Sequence, residues 1–116
     1  MDISVQIRKE TLIVTLRGEL DHHSAGNVKE LIEELIQNRA TKNLIFDFTH
    51  LTFMDSSGIG VLVGRYKLIS AMGGKVSICG ASRTVDRLLT MSGIKKIIAT
   101  FDTTEAALTT LQEEIS

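Results

Sequence analysis

The residues that most constrain the fold lie near the middle of the chain, at 43–48. Leu44, Ile45, Phe46 and Phe48 stand there with almost no polar alternation. A strand with one solvated face alternates apolar and polar residues, so this run predicts a central strand buried on both faces. Helical patterns flank the run, and a helix between two strands implies a parallel, right-handed crossover. The chain is therefore expected to be an α/β domain.

Apolar spacing along the rest of the chain completes the predicted order ββαβαβαβα. The predicted elements are strands at 3–7 and 12–16, a helix from Asp21 or Ser24 to about Asn38, the strand at 43–48, a helix from the junction at 53–60 to about Ala71, a strand at 76–79, a helix after Ser82, a strand at 96–101 and a helix after 102–105. The second helix is expected to bury the following residues: Ile59, Leu62, Val63, Tyr66 and Ile69. No linker or repeat interrupts the pattern, which favours one domain over 1–116, a small mixed β-sheet with α-helices packed on it.

Length, charge and cysteine content narrow the class of protein. The chain has 116 residues and a formal net charge of −1. That length suits one domain, and that charge gives no long-range attraction to nucleic acid or to a membrane surface. No apolar run approaches the roughly 18 residues that cross a bilayer, and no signal peptide is visible. The single Cys79 allows no internal disulfide, which fits a reducing compartment. We expect a cytoplasmic monomer that binds neither nucleic acid nor membrane.

The junction between the apolar strand and the second helix, residues 53–60, carries three adjacent polar residues, Asp55, Ser56 and Ser57. Their side-chain oxygens can accept hydrogen bonds from the free N–H groups of a first helical turn. A helix start also favours negative charge, so a phosphate bound or attached there would be stabilised. We therefore expect one of the two serines to be the functional group.

Two glycines continue from this junction along the second helix. Gly60 and Gly64 stand four and eight residues after Ser56, which places the three residues on one helix face. A glycine inside a helix costs roughly 1 kcal/mol relative to alanine. Either close packing against a neighbouring element or a smooth stripe that a partner approaches closely would offset this cost. The sequence leaves both explanations open.

The sequence argues against several enzymatic functions. His22 and His23 are neighbours at a helix start, and a zinc site needs three or four ligands, so surface or capping histidines are the better interpretation. A triad of Ser56, a histidine and Asp21 would lack the tight glycine-flanked serine elbow. A Gly-x-x-x-x-Gly-Lys phosphate loop is absent from the sequence. We expect no metal, no cofactor and no catalytic activity.

Four segments of the chain together resemble the anti-sigma factor antagonists of the STAS superfamily. They are Gly-Glu-Leu-Asp-His-His at 18–23, Phe-Met-Asp-Ser-Ser-Gly-Ile-Gly-Val at 53–61, Gly-Arg-Tyr-Lys at 64–67 and Met-Ser-Gly-Ile at 91–94. The resemblance covers essentially the whole chain, and the first segment makes it greatest for the antagonists of anti-sigma F factors in sporulating bacteria. General-stress antagonists share the Asp-Ser junction but usually differ around the two histidines.

This resemblance implies a single STAS-like domain that is not an enzyme. It implies binding to an anti-sigma factor that is also a serine kinase, which releases a sigma factor. The kinase would phosphorylate Ser56, with Ser57 as the second choice, and a serine phosphatase would restore the active form. Asp21 matches a position beside the phosphorylated serine, and Gly60 a position tied to kinase binding. The expected partner-binding residues are Asp21, Asp55, Ser57, Gly58, Gly60 and Gly64.

Two other functions stay open at the level of sequence. One is a general-stress anti-anti-sigma factor, which would use the same serine junction with another partner. The other is a nucleotide- or anion-binding regulatory domain, in which the helix start at Ser56 would hold a phosphate without covalent modification.

Overall fold

The computed structural model describes residues 1–38 and 41–115, with side chains as far as Leu111. The described strands are β1 (Asp2–Arg8), β2 (Thr11–Leu20), β3 (Asn43–Asp47), β4 (Leu51–Met54), β5 (Val76–Cys79) and β6 (Ala99–Phe101). The described α-helices are α1 (Ala25–Asn38), α2 (Ser56–Ala71), α3 (Arg83–Ser92) and α4 (Thr104–Ile115). The predicted order is confirmed, and β4 is an additional short strand that the sequence analysis did not predict.

The strands form one mixed sheet in the order β1-β2-β3-β5-β6, with β4 beside β2. β1 is antiparallel to β2, and the other pairs are parallel. The long strand β2 pairs with two strands along the same edge. Thr11–Thr15 pair with β3, and Gly18–Leu20 pair with β4. The carboxyl ends of β2 and β4 therefore lie side by side, immediately before α1 and α2.

Both faces of the sheet are covered. Leu44 and Phe46 of β3 belong to the larger core, to which α1, α2 and α3 contribute, while Ile45 lies in a smaller core under α4. This arrangement confirms the prediction that β3 is buried on both faces. The smaller core consists of Ile13, Ile45, Cys79, Ala107, Leu108 and Leu111.

The prediction for the buried face of α2 was wrong in part. Ile59, Val63 and Tyr66 are only partly buried. The buried residues of this helix are Gly58, Val61, Leu62, Arg65 and Ile69. Apolar residues occur all round α2, so helical periodicity alone did not select the face that meets the sheet.

Candidate functional site

Asp55 connects the end of β4 to the start of α2. It is the N-cap residue, with extended backbone (φ −112°, ψ −170°), and its carboxylate accepts a hydrogen bond from the Ser57 N–H at 2.8 Å. Its own N–H donates to the Leu20 carbonyl at the end of β2, at 3.2 Å. Asp55 therefore satisfies one free amide of the helix and also fixes the helix start to the neighbouring strand.

The two serines of the junction differ in accessibility. Ser56 is the first residue of α2 and is exposed, whereas Ser57 is half-buried and donates its backbone N–H to the Asp55 carboxylate. The first turn of α2 contains no acidic residue. Ser56 is therefore the more accessible of the two serines, and the positive end of the helix dipole favours negative charge at its position.

Asp21 lies at the same edge of the sheet. Leu20 and Met54 are register partners in β2 and β4, so Asp21 and Asp55 directly follow paired residues. The Asp21 carboxylate accepts hydrogen bonds from the backbone N–H groups of Ser24, at 3.1 Å, and His23, at 2.9 Å. These bonds lower the pKa of Asp21 below its ordinary value, and the bond from Ser24 has the largest effect. Asp21 is therefore an anion at neutral pH.

The structure separates Gly58 from the other two glycines of α2. Gly58 is buried, and a Cβ atom there would overlap the Met54 side chain, 2.6 Å from its Sδ atom. At Gly60 and Gly64 a Cβ atom would meet no atom within 4 Å among the described residues. Internal packing therefore explains Gly58 and does not explain Gly60 or Gly64. The face that continues from Ser56 through these two glycines is open.

The exposure of Phe53, at the start of the junction, was not predicted from the sequence. Phe53 of β4 is 44% exposed, although it is large and apolar. Its neighbours Leu51 and Met54 are buried, and they connect the strand to the core. Because β4 was not predicted, the pattern of residues 51–54 did not indicate which of their side chains are exposed.

His22 and His23 lie near the site without forming a metal centre with it. Both are exposed, and their ring centroids are 4.4 Å apart. Among the described residues, no group of three or more potential metal ligands occurs. Over the same residues, no helix is long and apolar enough to cross a membrane. Among the described residues, the polar groups at this edge include the exposed Ser56 and the two aspartates that follow the paired ends of β2 and β4, Asp21 and Asp55.

With this fold and this site, the chain belongs to the STAS domain family, whose sequence model matches residues 2–107. It is 43% identical over 112 residues to an anti-sigma F factor antagonist of Paenibacillus polymyxa, covering 97% of this chain and 96% of the relative. It is 31% identical over 100 residues to an anti-sigma-B factor antagonist of Bacillus subtilis, covering 84% and 90% respectively. The predicted resemblance to anti-sigma F factor antagonists is confirmed.

Solved structures agree with this assignment. The unphosphorylated form of the anti-sigma factor antagonist SpoIIAA is 30% identical and superimposes with a TM-score of 0.85, covering 97% of both chains. The phosphorylated form of Bacillus SpoIIAA, also 30% identical, superimposes with a TM-score of 0.73 and covers 92% of this chain and 96% of its own. A relative with this fold is thus known with and without a phosphoryl group.

Proposed function

We propose that the chain is an anti-sigma factor antagonist that is switched by phosphorylation of Ser56. The unmodified form binds an anti-sigma factor that is also a serine kinase, and the sigma factor is released. Phosphorylation by that kinase ends the binding, and a serine phosphatase restores it. The protein acts in the cytoplasm and performs no catalysis itself. The observation that carries the proposal is the exposed hydroxyl of Ser56 at the capped start of α2.

The surface around Ser56 suits close contact with a partner. Gly60 and Gly64 follow it on the same face, and the space above both is open among the described residues. A face without side chains lets a partner approach the helix backbone. Asp21, Asp55 and Ser57 border the start of this face, whereas Gly58 supports it from beneath by packing on Met54.

The switch follows from electrostatics at the interface. A phosphoryl group adds about −1.5 to −2 charge at neutral pH. The helix start stabilises this charge, whereas the carboxylates of Asp21 and Asp55 repel it. Because these local effects have opposite signs, we expect little change in the backbone. A partner carboxylate about 6 Å away, at an effective dielectric of about 20, would be repelled by about 4–5.5 kcal/mol. That repulsion weakens binding by about a thousandfold to ten thousandfold.

The first test is the site of modification. After incubation with ATP and the cognate kinase, we expect the intact mass to rise by one phosphoryl group and peptide mapping to place it on Ser56. The Ser56→Ala variant should not be modified, whereas Ser57→Ala, its matched control, should be. Modification that persists in Ser56→Ala and disappears in Ser57→Ala would overturn the assignment.

The second test is the effect of charge on binding. Ser56→Asp should bind the anti-sigma factor more weakly than Ser56→Ala, because only the aspartate adds negative charge at the interface. Calorimetric titration of each variant against the same partner measures the difference. Equal affinities of the two variants would show that charge at residue 56 does not control binding.

Relatives of two pathways match this chain. Of the two, we propose the sporulation role, which is supported by 43% identity to an anti-sigma F factor antagonist, compared with 31% to an anti-sigma-B factor antagonist. Titration against both kinds of anti-sigma factor separates this function from a general-stress role. The alternative of non-covalent phosphate or nucleotide binding at the start of α2 predicts no covalent mass change in the first test.

A further inference from the structure

The edge of the sheet formed by β1 is open. β1 has seven residues, all of them paired with β2 on one side, and among the described residues no strand pairs with its other side. An unpaired edge of this length presents a row of free N–H and C=O groups. Natural edge strands are commonly protected by lysine, proline or a bulge. β1 contains no lysine or proline, and its register with β2 is uninterrupted.

The apolar residues of this strand are also incompletely covered. Ile3, Val5 and Ile7 pair with Leu16, Val14 and Leu12, so they lie on the face of the sheet that carries the larger core. Ile3 packs partly against that core, whereas Val5 is 39% and Ile7 is 41% exposed. A second strand placed beside β1 would cover part of this apolar surface.

The sequence of β1 is complementary to itself. In an antiparallel pair centred on Val5, Asp2 of one copy lies opposite Arg8 of the other, Ile3 opposite Ile7, and Ser4 opposite Gln6. Both charged positions are then matched with the opposite charge, and all three apolar positions with apolar residues. Residues directly opposite each other in an antiparallel pair have Cβ atoms about 4.5–5.5 Å apart, so these pairs would be in contact.

The charges on neighbouring elements extend this match. Within one chain Asp2 lies opposite Arg17 of β2, and Arg8 forms an ion pair with Glu105 of α4 at 2.9 Å. All four side chains share the α4 face of the sheet, because the partner of Gln6 in the register, Ile13, packs under α4. Pairing two copies would therefore place Asp2 between Arg17 of its own chain and Arg8 of the second copy.

We propose that two copies of this chain associate through antiparallel pairing of their β1 strands, centred on Val5, to form one continuous sheet. The monomer expected from the sequence is then the dissociated form. Pairing through one short strand buries less than a standard protein interface. We therefore expect reversible dimerisation with a dissociation constant of about 10 µM to 1 mM.

Charge reversal tests the pairing. In sedimentation velocity of the full chain over this concentration range, the wild type should shift from monomer to dimer. Asp2→Arg and Arg8→Asp each place like charges opposite one another at both ends, and each should weaken self-association by about tenfold or more. A mixture of the two variants restores both opposite-charge pairs and should dimerise as the wild type does.

The control for Arg8→Asp is Glu105→Gln, which removes the ion pair within the chain and leaves the charges of β1 unchanged. Its dimerisation should stay close to that of the wild type, and circular dichroism should show that all variants are folded. A wild type that is monomeric throughout, or a mixture that fails to recover dimerisation, would overturn the proposal.

Cross-linking tests the register. Val5→Cys places two thiols opposite each other across the symmetry axis, whereas Ile7→Cys places each thiol opposite Ile3. The two sites are matched in exposure, at 39% and 41%. Under mild oxidation, Val5→Cys should form the covalent dimer at least about tenfold faster than Ile7→Cys. Equal rates, or a faster Ile7→Cys, would overturn the register.

Discussion

Two glycines of α2 have different physical roles. Gly58 and Gly60 are two positions apart on one helix, yet a Cβ atom would overlap Met54 at the first and meet only open space at the second. Glycine at 58 is therefore required by packing. Glycine at 60 lowers helix stability without any packing gain among the described residues, which is the pattern expected of a residue retained for binding.

This difference predicts opposite effects of one substitution. Gly60→Ala should raise the free energy of unfolding by about 0.5–1 kcal/mol, because alanine is the better helix former. Gly58→Ala gains the same propensity but overpacks the contact with Met54, at a cost of about 1–3 kcal/mol. Urea denaturation gives the free energy of unfolding of each variant. Because both variants gain the same helix propensity, the difference between them measures the cost of overpacking against Met54. Equal stabilities would mean that Met54 adjusts without strain.

Asp21 makes stability depend on pH. Its pKa is lowered in the folded protein, chiefly by the hydrogen bond from the Ser24 N–H. A lowered folded-state pKa stabilises the protein above the unfolded pKa, near pH 4, and this contribution is lost as the pH falls through the folded pKa. The melting temperature of the wild type should therefore exceed that of Asp21→Asn at neutral pH, and the difference should shrink below about pH 4. A difference that stays constant down to about pH 2 would contradict this prediction.

At the scale of elements, α1 and α2 are joined by an ion pair within their packed interface. Arg65 of α2 has only 7% of its side chain exposed and contacts Glu33 of α1 at 3.0 Å. Among the described residues, its Nε and Nη1 atoms are buried without a hydrogen-bond partner. The buried positive charge of the guanidinium is therefore compensated by one carboxylate, that of Glu33, which is 35% exposed.

A double-mutant cycle measures this dependence. Glu33→Ala leaves the buried charge of Arg65 unpaired and should lower the free energy of unfolding by about 1–3 kcal/mol, a range reduced for the partial exposure of Glu33. Arg65→Met removes the charge together with its need for a partner and should cost less. In the Arg65→Met background, Glu33→Ala should have almost no effect on denaturant midpoints. Additive effects of the two changes would show that the pair is not coupled.

The limits of sequence reasoning are visible in these elements. Residue types at helix ends were informative because capping is local: the Ser82 side chain accepts from the Val85 N–H, and Gly93 ends α3 with φ +81°. The Asp55 cap could be predicted for the same reason. The short β4 and the buried face of α2 could not, since β4 depends on pairing with the distant strand β2. The bond from Asp55 to the Leu20 carbonyl depends on that same pairing.

At the scale of the whole molecule, the two faces of the sheet are covered unequally. α1, α2 and α3 contribute to the larger core, whereas α4 alone covers the smaller one. Cys79 lies in that smaller core, where it is fully buried and its Sγ atom is 3.1 Å from the Thr104 hydroxyl. Burial raises the pKa of Cys79. The thiol is therefore protected from reagents in two ways, because they do not reach it and because it stays protonated.

Cys79 should therefore report the opening of α4. A helix held by one small core is expected to detach at a lower free energy than the whole domain unfolds, so native-state labelling with a thiol reagent should give an opening free energy below that from urea denaturation. Leu108→Ala weakens only the core under α4, by about 2–4 kcal/mol, and should speed labelling about 30- to 800-fold. Leu89→Ala, a matched deletion in the larger core, should lower global stability but leave the labelling rate in water nearly unchanged, provided that α4 opens alone. If Leu89→Ala accelerates labelling as much as Leu108→Ala does, the two faces of the sheet unfold as one cooperative unit.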